Sequence, residues 1–142
     1  MYTRGARGKK HKSNNSNLMA KYVDGFVLVV KEKDLPAYKK MAKEGARVWK
    51  KYGALEYKEC VSEDIRPKMM GMPPLFPKMT NLKRGEVVIF SFIVFKSRKH
   101  RDQVNAKVME DPAMDSEVWK DKPMPVDMGR MAYGGFEVFV EA

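Results

Sequence analysis

The apolar positions of the chain include four short runs rich in valine, isoleucine, phenylalanine and tyrosine. Runs of this length and composition, bounded by glycine, proline or charged residues, are typical of β-strands. They predict strands at residues 22–30, 54–61, 86–95 and 131–140. The longest apolar stretch lies inside the third run and is far shorter than the roughly 20 residues that a membrane-spanning helix needs. No membrane span is therefore expected.

Two segments between these runs repeat their apolar residues at the three- and four-residue spacing of an amphipathic helix. The first begins after Asp34, a predicted N-cap, and ends at Gly53, because glycine readily adopts the left-handed C-cap conformation. The second begins after Ser97 and ends or bends at Pro112. Residues 62–85, between the second and third strands, hold four prolines and are too long for a hairpin turn, which indicates a binding loop or a floppy segment.

The resulting order of elements is β-α-β-β-α-β. With right-handed crossovers, this order predicts an α+β, ferredoxin-like fold in which a four-stranded antiparallel sheet has the strand order 4-1-3-2. Both helices then lie on one face of the sheet, and the first strand lies between the third and the fourth.

The third strand is apolar on both of its faces. An antiparallel strand with one wet face should instead alternate apolar and polar residues. Its two apolar sets are Val87, Ile89, Ile93 and Phe95 on one side, and Val88, Phe90, Phe92 and Val94 on the other. Because two helices cover only one face, a second copy of the chain is predicted to cover the other in a two-fold homodimer. A methionine-rich loop at 62–85 that folds back over the sheet is the second choice.

Glycines interrupt two neighbouring strands. Gly25 in the first strand falls opposite Gly134 and Gly135 in the fourth when the two are paired antiparallel. Residues without side chains let a sheet coil sharply, or let an aromatic ring or a ligand lie on the backbone. Three aromatic residues are near enough to supply such a ring: Phe26, Tyr133 and Phe136. Sheet bending is favoured, and it is compatible with a pocket floor at this point.

The formal net charge of +10 is unevenly distributed, since half of it lies in residues 1–18. This segment has almost no apolar content and cannot build a core. We expect it to be a disordered basic leader or a misassigned start, followed by a single domain at 19–142. An arm for nucleic acid or an anionic surface is the alternative. Cys60, the one cysteine, excludes an internal disulfide and fits a reducing cytoplasm, so a cytoplasmic location is expected.

Asp24 is the first candidate for chemistry, because a carboxylate in an apolar strand is costly to bury unless it is paired. Arg130, Lys21 and Tyr133 are its candidate partners, and a structural pair is favoured over acid–base catalysis. Arg130 and Tyr133 flank the start of the last strand and could orient an anionic or carbonyl-bearing ligand. A surface salt bridge between Arg130 and Asp127 is the alternative.

A pocket near the glycines is therefore predicted for a small ligand. Its expected lining residues are Tyr22, Asp24, Phe26, Ser91, Arg130 and Tyr133. The basic run around His100 is interpreted as a solvated helix face. The two histidines, His11 and His100, do not have the spacing of metal ligands, so no metal is expected, and no cofactor is predicted.

Several blocks of the chain carry a family resemblance. They are KYVDGFV, YGALEYKECV, EVVIFSFIVFKSRKHRD, MEDPAM and MPVDMGRMAYGGFE. In order, and across residues 20–140, they resemble the YbaA-like bacterial family, a domain of unknown function among the dimeric α+β barrel proteins. The resemblance implies the same homodimer as the two-faced strand. Val126, Met128 and the methionines at 69, 70 and 72 depart from the family pattern, which bears on the ligand and not on the fold.

Three functions are compatible with these observations. A homodimeric domain that binds an unknown small molecule is favoured. A cofactor-independent oxygenase is the second, by fold analogy alone, with Asp24 as base and Tyr133 or Arg130 stabilising an enolate or phenolate. The third is RNA binding through the basic residues 1–18. Nucleic acid is not the expected partner of the domain itself, because the sheet face that could stack bases is needed for dimerisation.

Overall fold

A computed structural model describes residues 20–67 and 71–142 of the 142-residue chain. The basic segment 1–18 and two of the three loop methionines, Met69 and Met70, lie outside the described residues.

The strands are β1 (Tyr22–Lys31), β2 (Glu56–Val61), β3 (Glu86–Phe95) and β4 (Ala132–Glu137), and the helices are α1 (Leu35–Lys51), α2 (Leu75–Met79), α3 (Arg98–Glu110) and α4 (Ser116–Trp119). β4 ends earlier than predicted because β1, its pairing partner, begins at Tyr22. Val138 still donates its amide to the carbonyl of Lys21, but Phe139 is 93% exposed. The short helix α2, inside the proline-rich segment 62–85, was not predicted.

The four strands form one antiparallel sheet in the order β2-β3-β1-β4, which confirms the predicted α+β, ferredoxin-like arrangement. In β1, Asp24 lies between Ile93 of β3 and Gly135 of β4. Helices α1 and α3 pack on the same face, where their valines form a core cluster with β3. This helix-covered face holds every second residue of each strand.

The predicted helix ends are largely confirmed. Gly53 follows α1 with a φ of +114°, and the Ser97 hydroxyl accepts a hydrogen bond from the His100 amide at the start of α3. Asp34 occupies the N-cap position of α1, but its side chain makes no capping bond there. A 3-10 turn precedes this helix directly, so the chain enters α1 already coiled.

The second face of the sheet, which we call the open face, is only partly covered within the described residues. At one end Val88 is 2% exposed, and Ile65 and Phe76 of the proline-rich segment line a shallow pocket with it. Further along, Phe90 is 46% exposed and Phe136 is 61% exposed. The segment therefore shields one end of this face and leaves phenylalanine side chains in contact with solvent.

The glycines allow aromatic rings to lie directly on the backbone of the sheet. Gly25 pairs with Gly134, and a Cβ on either would come within 3.4 Å of the Phe136 ring on the open face. On the helix-covered face, a Cβ on Gly135 would collide with the Tyr22 ring. Phe136 was among the predicted rings, whereas Tyr22 takes the place expected for Phe26 or Tyr133.

Candidate functional site

Asp24 is the centre of a buried polar cluster. Asp24 is 2% exposed, and its Oδ1 accepts a hydrogen bond of 2.6 Å from Nη1 of Arg101. The same nitrogen lies 3.0 Å from the Tyr133 hydroxyl, and Asn105 makes a long contact of 3.5 Å with Oδ2. The ion partner of Asp24 is therefore Arg101. The prediction that Arg130 or Lys21 would pair with Asp24 is wrong. Lys21 pairs instead with Glu141.

Arg101 ties α3 to the sheet. Its guanidinium lies 4.9 Å from the centroid of the Tyr22 ring, and its side chain is only 12% exposed. Burial opposes its charge, but hydrogen bonding to Asp102 and the charge of Asp24 raise its pKa. The prediction that the basic run around His100 is a solvated face is therefore wrong for Arg101. Burial, followed by the Asp24 charge, also raises the pKa of Tyr133.

Arg130 lies apart from this cluster. Its guanidinium binds both carboxylate oxygens of Glu86, at 2.8 and 2.6 Å, and its Nε donates to Asp127 at 2.8 Å. Glu86 pairs with Lys31 at the far end of β1, seven residues from Asp24 or about 23 Å along the strand. The predicted salt bridge with Asp127 is present, and the structure does not bring Arg130 to the other predicted site residues.

The Arg130 ion pair predicts an acid-sensitive contribution to stability. The hydrogen bonds from Arg130, and then the one from the Lys83 amide, lower the pKa of Glu86 from 4.5 to about 2. A lowered pKa means that this contribution is complete above pH 4.5 and is lost as the pH falls toward 2. Urea unfolding should show wild type more stable than Glu86→Gln at neutral pH, with the difference shrinking across that range. A difference in stability that does not change with pH would contradict this prediction. An equal loss of stability in the control Glu63→Gln, at an exposed carboxylate, would also contradict it.

A cavity of about 400 Å³ lies between the helix-covered face of the sheet and α1. Most of its lining is apolar, with two tryptophans, five methionines and Phe26. The lining residues are Phe26, Leu28, Tyr38, Met41, Ala42, Glu44, Gly45, Trp49, Tyr57, Glu59, Ser91, Ile93, Met114, Trp119, Met124, Val126, Met128 and Met131. Both tryptophans of the chain therefore lie at this cavity.

Glu59 lines the cavity, and two tyrosine hydroxyls hold its carboxylate in place. Tyr38 donates its hydroxyl to Oε1 at 2.6 Å, and Tyr57 donates its hydroxyl to Oε2 at 2.8 Å. Burial, together with the negative charge of Glu59, raises the pKa of both tyrosines, so both remain donors. Sequence reasoning missed this triad. Its sequence signal is Gly45 inside α1, where a Cβ would lie 2.9 Å from the Tyr57 hydroxyl oxygen.

Ser91 lies on the floor of the cavity and is 5% exposed. It pairs with Phe26 on one side and with Glu59 on the other, so these three residues form one row across the sheet. In the described part of the chain, its hydroxyl has no hydrogen-bond partner. A buried hydroxyl without a partner is costly, which makes Ser91 a candidate contact for a ligand.

The six predicted site residues fall into three groups. Phe26 and Ser91 line the cavity, and Tyr22, Asp24 and Tyr133 belong to the adjacent polar cluster. The Phe26 and Tyr133 rings, with centroids 4.9 Å apart, connect these two groups. Arg130 forms the third group by itself.

Residues 20–67 and 71–142 contain neither a cluster of metal-binding side chains nor a membrane-spanning helix. Within these ranges, no three histidine, cysteine or acidic side chains are gathered so that they could hold a metal ion. None of the helices described there has the length and apolar character needed to cross a bilayer.

Comparison with known proteins places the chain among uncharacterised relatives. A family model described as a protein of unknown function, DUF1428, matches residues 21–128. The uncharacterized protein YbaA of Escherichia coli strain K12 is 38% identical over 121 residues, which cover 85% of this chain and 98% of that protein, and YbaA of Shigella flexneri matches equally. The crystal structure of a dimeric ferredoxin-like protein from an uncultured marine organism superposes with a TM-score of 0.57 at 12% identity, covering 87% of this chain and 99% of that one.

Proposed function

The chain belongs to the DUF1428 family of proteins of unknown function, which confirms the YbaA-like resemblance, and on that premise we propose that it is a homodimeric domain that binds a small, mostly apolar molecule. The proposed site is the cavity between the sheet and α1.

The cavity is the observation that carries this proposal. Small-molecule sites are concave and largely apolar, and they contain a few polar groups that fix the orientation of the ligand. Here the polar groups are the held carboxylate of Glu59 and the buried hydroxyl of Ser91. Met124 and Met128, which line the cavity, are 56% and 62% exposed, so the cavity opens to solvent and an apolar molecule can enter it.

The open face supports the homodimer. Its exposed phenylalanines, Phe90 and Phe136, lie on the sheet surface opposite the helices. A second copy related by a two-fold axis would bring the same patch against itself and remove these rings from water. The structural neighbour is described as dimeric, which agrees with this arrangement.

The alternative role of Asp24 as a catalytic base has no comparable support. Asp24 is not among the cavity-lining residues, and its carboxylate is engaged by Arg101 and Asn105. RNA binding through residues 1–18 stays a prediction, since this segment lies outside the described residues.

A neutral apolar dye tests the ligand site. N-phenylnaphthylamine fluoresces strongly in apolar surroundings, and we expect wild type to bind it in the cavity. Ser91→Leu fills part of the floor and should weaken binding at least about tenfold, the equivalent of 1.4 kcal/mol. Urea unfolding should show no loss of stability, because the substitution removes an unpartnered hydroxyl and fills space.

Ala106→Leu is the matched control for this experiment. It adds a large aliphatic side chain to α3, where Ala106 is exposed and belongs neither to the cavity lining nor to the open face. Its dye affinity should equal that of wild type. Equal weakening by both variants, or no binding by wild type, would overturn the proposed site.

A further inference from the structure

We propose that the cavity selects a cationic ligand, an apolar or aromatic molecule with a protonated amine that binds the Glu59 carboxylate. This inference rests on the proposed function, since it names the chemical class of the ligand for the same cavity.

The charged side chains that line the cavity favour a cationic ligand. The chain has 28 basic and 18 acidic residues, yet the charged side chains lining the cavity in the described ranges are both acidic, Glu44 and Glu59. Glu44 is neutralised by Arg47, whose Nη2 lies 2.6 Å from its Oε2. Glu59 has no cationic partner within residues 20–67 and 71–142. An anionic ligand would therefore meet an uncompensated carboxylate.

The hydrogen bonds that Glu59 accepts come from neutral groups and leave its charge uncompensated. A carboxylate offers about four acceptor sites, and the hydroxyls of Tyr38 and Tyr57 occupy one on each oxygen. These donors fix the orientation of the carboxylate but bring no positive charge. Glu59 is partly buried, and withdrawing a charge from water beside apolar surface has a cost unless the charge is paired. A ligand ammonium would supply both the missing charge and the missing donors.

Ser91 provides a second contact for the same ammonium. It lies directly opposite Glu59 in the sheet, and opposed side chains on one face have Cβ atoms about 5 Å apart. Its hydroxyl oxygen can accept one ammonium hydrogen while Glu59 accepts another. An ammonium has three hydrogens to donate, so one group can satisfy both residues.

The remaining lining suits the body of such a ligand. Trp49, Trp119 and Tyr57 offer aromatic faces, which attract cations and pack against apolar groups. The five methionines are flexible and polarisable, so they adapt to molecules of different shape. We therefore infer selectivity for the charged head and tolerance for the apolar body.

Three phenyl-containing probes of nearly the same size, which differ in the charge of their head group, test this inference. They are phenethylamine, phenethyl alcohol and phenylacetate, which are cationic, neutral and anionic at neutral pH. Because both tryptophans line the cavity, intrinsic tryptophan fluorescence reports its occupancy. Wild type should bind the amine at least about tenfold more tightly than the alcohol, since only the amine adds the attraction between opposite charges to its hydrogen bonds with the Glu59 carboxylate. Phenylacetate should bind most weakly.

Glu59→Gln should reduce the preference for the amine over the alcohol to about twofold or less, because the amide keeps the shape and one acceptor oxygen of the side chain but removes its charge. Glu56→Gln is the matched control, because Glu56 is an exposed residue on the opposite face of the same strand. It removes the same charge from the chain and should retain the full preference for the amine.

Two failures are distinguishable. If the alcohol or phenylacetate binds wild type as tightly as the amine, or if Glu59→Gln keeps the preference, the cationic ligand is excluded while the cavity remains a binding site. If neither the three probes nor the apolar dye binds, the proposed function fails together with this inference.

Discussion

Replacing Arg101 with methionine is expected to lower the free energy of unfolding by about 3–5 kcal/mol, the usual cost of breaking a buried ion pair. Methionine keeps much of the side-chain volume but leaves the carboxylate of Asp24, 2% exposed, without its cation. The variant also loses the hydrogen bond to Tyr133 and the contact with the Tyr22 ring. Urea unfolding at neutral pH measures the effect.

A double variant separates the effect of the unpaired Asp24 carboxylate on stability from the effect of the lost packing. Asp24→Asn combined with Arg101→Met removes both charges and should recover part of the stability, because no unpaired carboxylate remains buried. Arg47→Met is the control, since Arg47 is 55% exposed and its pair with Glu44 should contribute less than about 1 kcal/mol. A loss for Arg101→Met no larger than that of the control would exclude a structural role for the cluster.

Replacing Phe90 with glutamate is expected to weaken the proposed homodimer by roughly 30- to 1,000-fold, the range for losing an aromatic contact at the centre of an interface. In a two-fold dimer each substitution occurs twice, so two carboxylates would enter the same apolar contact. The monomer should stay folded, because Phe90 is 46% exposed and points away from the helices. Sedimentation equilibrium across the micromolar range measures the change.

Met109→Glu is the matched control for the dimer. Met109 is a 60% exposed apolar residue of α3, in the helical layer rather than on the open face of the sheet. It introduces the same charge and should leave the association constant unchanged. A wild-type chain that sediments as a monomer, or equal weakening by both variants, would contradict dimerisation through the open face.

The fold could be predicted from the sequence because its signals are local. The β3 run 86–95, the cap at Ser97 and the left-handed Gly53 each mark an element within a few residues of chain. The pairing of Gly25 with Gly134 followed once the strand order was known, because register is set by the alternation of side chains. Confirmation of the strand order by the structure shows that these local signals agree with one another.

The partner of Asp24 is a different case. The run containing Arg101 resembles a solvated basic face, but Arg101, Val104 and Val108 have the spacing of one helix face. In the structure these valines are buried and Arg101 points inward with them, so this spacing was the signal that the charge of the run obscured. That Arg101 reaches Asp24, 77 residues earlier in the chain, depends on how α3 packs on β1.

The Glu59 site depends still more on packing. The sequence shows a glutamate in a strand and a glycine inside a helix, and neither by itself indicates a cavity. Tyr57 lies two residues from Glu59 on the same face of β2, but the hydroxyl of Tyr38 reaches this carboxylate only because α1 lies across β2.

The four strands, the two long helices, their order and the sheet topology could be predicted from the sequence, as could a carboxylate that had to be paired, because backbone preference and hydrophobic periodicity act over neighbouring residues. The cation that pairs with Asp24, the place where the cavity opens and the acid that faces it became known from the packed molecule alone. Those features depend on side chains from distant segments meeting in the packed molecule, and local sequence contains no measure of their separation.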